Sequence, residues 1–372
     1  MESFQVFELE RLMSDYEQTV EYNLSESGVH PVTLGELLGN GANLKALLAT
    51  ELNYPQVNGT DTLLERIAAL YDGATAANVL VTVGAIEANY VSVQATLGDI
   101  AVMVPNYMQI WGATRNLGRF VRTFSLRADA EWTLDTDELH RAVVPGTSLV
   151  AVCNPNNPTG YVLAEAEMEE IIRTSDRVGA WILADEVYAG AEQNGVPPTP
   201  SFWGRYDKVI AVNSVSKAYG LPGLRIGWIV APKEFIQAAW RRHEYTTIAA
   251  SMVSNHLAAL ALSADVRPDL LSRARRYVTS GWSLLEAWIR KHSGQLSCIP
   301  PMAGAMAFVR YRNRISSVEF ADRLRREQRV LVVPGSHAGM DGHLRICFGS
   351  PAETLQAGLE RITEFLARAG DS

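Results

Sequence analysis

Six short apolar runs recur along residues 78–232, and between several of them lie stretches with helical periodicity. The runs are NVLVTV (78–83), IAVMVP (100–105), SLVAVCN (148–154), AWILAD (180–185), KVIAVNS (208–214) and IGWIVAP (226–232). Their length and their Val, Ile and Leu content are those of strands buried on both faces. AEAEMEEIIRTSDRVG, by contrast, sets acids early, bases late and a Gly at its end, which is how a helix starts and stops. Strand and helix in alternation predict an α/β fold with a mainly parallel sheet covered by helices on both faces. Ligands of such a sheet bind in the crevice outside the carboxyl ends of its strands, so the residues closing each run are where chemistry is expected.

The last third of the chain changes character. A helical stretch, SRARRYVTSGWSLLEAWIRKH, is followed by MAFVRYR, VLVVPGS, HLRICFG and a final helix, the pattern of a smaller α+β domain. With 372 residues and neither an internal repeat nor a low-complexity linker, the chain should divide into about two interleaved domains. The large one is expected at 45–255, and the small one from 1–44 together with 256–372.

Composition narrows the function classes. A net charge of −8 without a basic stripe argues against a nucleic-acid partner. Cys153, Cys298 and Cys347 lie far apart with no CxxC spacing, so no disulfide framework and no metal site is expected, and a reducing, cytoplasmic setting fits. The opening MESFQVFELERLM has acids among its apolar positions and no basic n-region, so no signal peptide is expected. No run approaches the roughly 20 apolar residues of a membrane span.

Three clusters carry chemistry. In SVSKAYGLPGLRIGW (214–228), Lys217 follows a buried strand and Arg225 comes eight residues later in a Gly-flanked segment, supplying an amine and a cation suited to a phosphate. An isolated S-x-K reads more simply as an exposed loop lysine, and it is the neighbouring clusters that set that reading aside. In NPNNPTG (154–160), two Asn-Pro steps make tight turns after a strand, which turn chemistry alone would also explain. In ADEVYAG, Asp185 ends an apolar strand and Tyr188 follows three residues on. A carboxylate there needs a partner, and a protonated pyridine nitrogen is one that keeps it ionised.

In this combination, order and spacing, the motifs resemble those of the class I and II aminotransferases, the fold-type I pyridoxal-phosphate (PLP) enzymes, over nearly the whole chain. The resemblance implies a seven-stranded-type sheet between helices, PLP as cofactor, and Lys217 as the lysine that binds it as a Schiff base. It implies that Asp185 pairs with the pyridine nitrogen and that Asn157 and Tyr188 bond the phenolic oxygen. Gly84, Ala85 and Ile86, in TVGAIEAN, match the phosphate loop at a helix N-terminus, a favourable anion site in any case; the plain alternative is a strand-to-helix turn. Ser214, Ser216 and Arg225 match further phosphate ligands, and Tyr107 matches the aromatic stacked on the ring. Tyr54 matches a tyrosine that reaches the neighbouring subunit's phosphate, implying a homodimer with shared sites, although a core tyrosine is an equal reading. Arg345, in HLRICFG, matches the arginine that binds the substrate α-carboxylate, and its guanidinium fork suits that task.

The resemblance implies Cα deprotonation and a quinonoid, and leaves the subsequent reaction open. NLSESGVHPVTLGEL, with the lysine motif and VLVVPGS, looks like a narrower group: capreomycidine synthase, which cyclises a hydroxylated arginine, and the PLP-dependent arginine oxidases of natural-product pathways. There a histidine of the N-terminal segment is implicated in catalysis, and His30 is the position that inherits the role; a packing histidine is the alternative. Glu17, Glu21 and Glu26 are candidate carboxylates for a guanidinium, Glu17 and Gly28 being the expected substrate contacts. An acidic face in water explains any one of the acids as well. Some arginine hydroxylases of this type carry Asp where this chain has Ser214, a departure that weakens hydroxylation. The expected function is chemistry on L-arginine or a hydroxyarginine, with ordinary transamination to a 2-oxo acid as the alternative. A PLP-binding regulator is disfavoured because no helix-turn-helix is visible.

Overall fold

Each of the six apolar runs becomes a strand whose ends lie within two residues of those expected. The computed structural model describes residues 4–39, 41–312 and 314–369, which form fourteen strands. They are β1 (Tyr22–Asn23), β2 (Val79–Thr82), β3 (Asp99–Val104), β4 (Val121–Arg127), β5 (Thr133–Leu134), β6 (Thr147–Cys153) and β7 (Trp181–Asp185). The series continues with β8 (Val209–Ser214), β9 (Gly227–Val230), β10 (Leu296–Ser297), β11 (Met306–Tyr311), β12 (Val330–Leu331), β13 (Val333–Pro334) and β14 (His343–Cys347).

The large sheet has the order β2-β9-β8-β7-β6-β3-β4-β5. From β4 through β3, β6 and β7 to β8 all neighbours are parallel, while β9 runs antiparallel between β8 and β2. β2 and β8 are buried throughout, and β6 and β7 at every position but Ser148 and Trp181, as continuous apolar runs require. The eighth strand, beyond the seven expected, is the two-residue β5, which pairs back onto β4 at the edge. In β4, Phe124 and Leu126 are buried while Thr123 and Arg127 are exposed, so it offers no continuous apolar run to a sequence search.

Helices cover the sheet as the alternation predicts. Glu165–Val178 buries Met168 and Ile171 on one stripe and ends at Gly179. Gly84–Ala95 packs between the strands and Lys233–His243, with Ala88 and Val91 inaccessible. A second sheet, order β10-β11-β14-β13, is antiparallel, and the parallel pair β1–β12 sets Tyr22 beside Val330, tying the N-terminal segment to the C-terminal part. Among the described residues, no helix is long and apolar enough to cross a membrane.

Candidate active site

Strand register gathers the first cluster. β9 begins at Gly227, which is paired with Thr82 at the end of β2 and with Ser214 at the end of β8. The turn into the helix Gly84–Ala95, the Lys217 loop and Arg225 therefore meet at one sheet edge. Two glycines permit the approach: Gly84 has φ +77, and a Cβ on it would strike the Arg225 guanidinium, while a Cβ on Gly227 would strike the backbone of Gly84 and Ala85. First-turn N–H groups of the helix have no intrahelical acceptors and, with Arg225 beside them, suit an anion. Ser214 Oγ accepts the Ser216 N–H at 3.2 Å, which folds this loop over the same edge.

β7 delivers the second cluster. Asp185, at its end, accepts Asn89 Nδ2 at 2.8 Å and the Val187 N–H at 3.2 Å. Burial raises its pKa, against the pull of these two donors and of Lys217. Asn157 Nδ2 donates to Tyr188 OH at 3.0 Å, and Ser27 Oγ lies 2.8 Å from the same hydroxyl. Burial pushes the Tyr188 phenol up to about 12, although Lys217 and Arg345 act in the other direction.

Arg345 stands on β14, flanked by Phe308 of β11 and Val333 of β13, and is 2% exposed. Its Nη1 donates to Asn157 Oδ1 at 2.9 Å and its Nη2 to the Ser25 carbonyl at 2.7 Å, but its buried Nε has no partner within the protein. A buried donor without an acceptor calls for an explanation, and a substrate carboxylate supplies one.

The N-terminal helix Glu8–Tyr16 walls the cleft, whose volume is ≈ 400 Å³. Leu9, Glu10, Met13 and Ser14 face into it, followed by Glu17, Glu26 and Ser27 of the segment beyond. Tyr107 OH donates to Glu10, and the Phe7 ring packs on the Tyr107 ring at 4.8 Å. Lys217 Nζ donates to Glu26 Oε1 at 2.8 Å.

Most residues singled out in the sequence line this one cleft: Lys217, Asp185, Tyr188, Asn157, Arg345, Tyr107, Ala85, Ile86, Ser214, Ser216, Arg225 and Glu17. Gly84 and Gly28 lie just behind the lining, Gly28 so close that a Cβ would sit 3.7 Å from Lys217 Cδ. Tyr54 is 85% exposed and away from the cleft of its own chain. His30 departs from expectation. Its N–H is bonded to the Gly349 carbonyl at 2.7 Å, Val29 takes the buried position beside it, and the exposed His30 ring faces outward to Tyr277 at 5.9 Å. Glu21 is likewise exposed outside the cleft.

Asn89, Ser27 and Glu10 were not singled out. Asn89 was within reach, since it lies one helical turn beyond Ala85 and so on the same face. Ser27 and Glu10 meet Tyr188 and Tyr107 across 161 and 97 residues, and no local pattern announces such pairs.

The donor set fits PLP. The helix N-terminus with Arg225 suits its phosphate, the buried Asp185 carboxylate suits a protonated ring nitrogen, Tyr188 and Asn157 suit the phenolic oxygen, and Lys217 is an amine inside the cleft. Residues 42–362 match the family model for aminotransferases of class I and II. Capreomycidine synthase of Streptomyces vinaceus is 31% identical over 359 residues, covering 92% of this chain and 89% of that protein. A PLP-dependent aminotransferase from Streptococcus suis superposes with a TM-score of 0.92 at 31% identity, covering 99% of both chains. The PLP-dependent cyclase OrfR does so with a TM-score of 0.87 at 28% identity, over 99% of this chain and 98% of that one. The fold, the donor set and these likenesses agree: the chain belongs to the class I and II aminotransferase family and is a PLP-dependent enzyme of fold type I.

Proposed function

We propose that this enzyme removes the Cα proton of a free amino acid with a cationic side chain, L-arginine or a hydroxyarginine, in an arginine-oxidase or capreomycidine-synthase-like reaction. The observation that carries this reading is the disposition of charge in the cleft. Three carboxylates, Glu10, Glu17 and Glu26, line it from the N-terminal segment, and Arg345 lines it from β14. A zwitterion with a second cation at its far end is complementary to that arrangement. The similarity to capreomycidine synthase and to the cyclase OrfR supports the same substrate class.

The roles follow from position. Arg345 binds the α-carboxylate with the N–H groups that Asn157 and Ser25 leave free. Asn157 and Tyr188 hold the cofactor's oxygen side, and Asp185 holds its nitrogen side. PLP, when bound, supplies the electron sink that acidifies the Cα–H bond. Lys217, an amine within the cleft, is the base that would take the proton at Nζ. Glu17 receives the guanidinium. Its replacement by Gln should raise KM for arginine about tenfold, roughly the 1.5–3 kcal/mol of one charged hydrogen bond less what the amide retains. The KM for alanine should stay unchanged, and an equal rise for both substrates would remove Glu17 from this role. His30, facing outward, has no contact with the cleft of its own chain. Tyr54 is exposed, as are Leu48 and Leu52 close to it in sequence, and a second copy of the chain would cover these side chains in a homodimer.

Transamination to a 2-oxo acid is the second reading, favoured by the full-length likeness to the Streptococcus suis aminotransferase. One experiment separates the two. PLP-loaded enzyme is mixed with L-arginine in air without a keto acid, and the spectrum, dissolved oxygen and products are followed. Sustained oxygen consumption with desaturated or hydroxylated keto-arginine identifies an oxidase. Conversion of a hydroxyarginine to a cyclic product without oxygen uptake identifies a cyclase. A change that stops after one equivalent and resumes on adding pyruvate or 2-oxoglutarate identifies a transaminase and sinks the first reading.

A further inference from the structure

Four consecutive residues of the N-terminal segment each engage the site. The Ser25 carbonyl accepts Arg345 Nη2, the Glu26 carboxylate accepts Lys217 Nζ at 2.8 Å, the Ser27 hydroxyl meets Tyr188 OH, and the Gly28 N–H holds Glu26 Oε1 at 3.0 Å. Glu26 is thus aimed inward by a backbone donor two residues on. A Cβ on Gly28 would lie 3.4 Å from that carboxylate, in van der Waals contact with it.

We propose that Glu26 is a positioning residue for Lys217: it is the counter-ion of the amine whenever the amine is free, and it sets the pH range in which this lysine captures the aldehyde of PLP. The proposal rests on the assignment of Lys217 as the cofactor lysine.

The groups facing Nζ come from several elements. Glu26 approaches from the strap 25–28, Asp185 and Tyr188 from the end of β7, and Arg345 and Cys347 from β14. Burial and Arg345 disfavour the ammonium, yet the Glu26 carboxylate and the Tyr188 hydroxyl outweigh them, so that the pKa of Lys217 stands above the ordinary lysine value. Glu26 moves in the matching direction. The Lys217 charge draws it down to about 2 against the opposing effect of burial, helped by the Gly28 N–H and Arg345. Its side chain remains 43% exposed, so a proton released at the pair has a path to water.

Capture requires the neutral amine. Nζ first loses a proton to solvent; its lone pair then bonds to the aldehyde carbon, and the carbonyl oxygen leaves as water. Below the raised pKa the neutral fraction falls about tenfold per pH unit, so Glu26 slows capture at neutral pH. Without its charge the ammonium loses its main counter-ion, burial and Arg345 act on it against the weaker pull of Tyr188 and Asp185, and the pKa falls. During turnover the same carboxylate makes the released Lys217 the stronger base.

The test uses full-length, cofactor-free protein mixed with PLP between about pH 6 and 9.5. Uptake is followed by absorbance, and borohydride reduction with peptide mass spectrometry then locates the linkage. Glu26→Gln should capture PLP at least about tenfold faster than the parent at pH 7.5, one pKa unit being a factor of ten, with its profile displaced to lower pH. Glu26→Asp, which keeps the carboxylate, should follow the parent profile. Linkage at Lys217 with unchanged or slower capture by Glu26→Gln overturns the role of Glu26. Linkage at any other lysine overturns the assignment of Lys217 itself, and the proposal with it.

Discussion

Lys217→Ala protein should show no absorbance band of covalently bound PLP and should lose turnover by roughly 10⁴-fold, the upper end of what one positioned acid–base group contributes. Noncovalent retention of the cofactor is expected to survive, because the helix N-terminus and Arg225 are untouched by the substitution. The change also strips Glu26 of its cation, leaving the carboxylate with the Gly28 N–H and the more distant Arg345. The pKa of Glu26 should therefore return toward the ordinary carboxylate range. The decisive measurement is the visible spectrum of the PLP-loaded variant beside single-turnover kinetics with arginine. A variant that kept both the band and the turnover would show that another amine carries the chemistry.

Replacing Arg345 by Lys should lower kcat/KM for arginine about 10²- to 10³-fold, chiefly through KM. The side chain is 2% exposed, and its Nη1 and Nη2 are committed to Asn157 and Ser25, which fixes the plane of the guanidinium. Its Nε, lacking a protein acceptor, lies in that plane and is free to take one carboxylate oxygen. An ammonium is a point charge without the planar fork, so it cannot serve Asn157, Ser25 and a carboxylate together. Loss of one to two charged hydrogen bonds, at roughly 1.5–3 kcal/mol each, gives that fall at about 1.4 kcal/mol per factor of ten. Argininamide, which has no α-carboxylate, provides the control. The parent enzyme should discriminate strongly against it and the variant weakly. If the variant discriminates as the parent does, Arg345 does not bind the substrate carboxylate.

The two predictions draw on different kinds of information. The strands that end at Asp185 and Ser214 were legible because a buried parallel strand is a local property, a short Val- and Ile-rich run closed by a polar residue. NPNNPTG announced its turn for a similar reason, since Asn and Pro act on the backbone where they stand. β4 escaped notice because its half-exposed alternation lacks a continuous apolar run. Asn89, the donor to Asp185, lies one helical turn beyond Ala85, and an Asn within a helix carries no local signal of a partner 96 residues away.

The sequence by itself determined the fold class, the order of the strands along the chain and the chemical groups gathered at their ends. All three arise from side-chain periodicity and turn chemistry acting within a few residues. It also offered three candidate acids, Glu17, Glu21 and Glu26, with Glu17 as the expected substrate contact, and one histidine. Which of them line the cleft is a matter of tertiary structure. Pairing of β1 with β12 and the bond from the His30 N–H to Gly349 set the path of the N-terminal segment, turning Glu17 and Glu26 inward and Glu21 and His30 outward. The contact of Glu26 with Lys217 spans 191 residues. Such a contact depends on the register of elements far apart in the chain, and no spacing along the sequence encodes it.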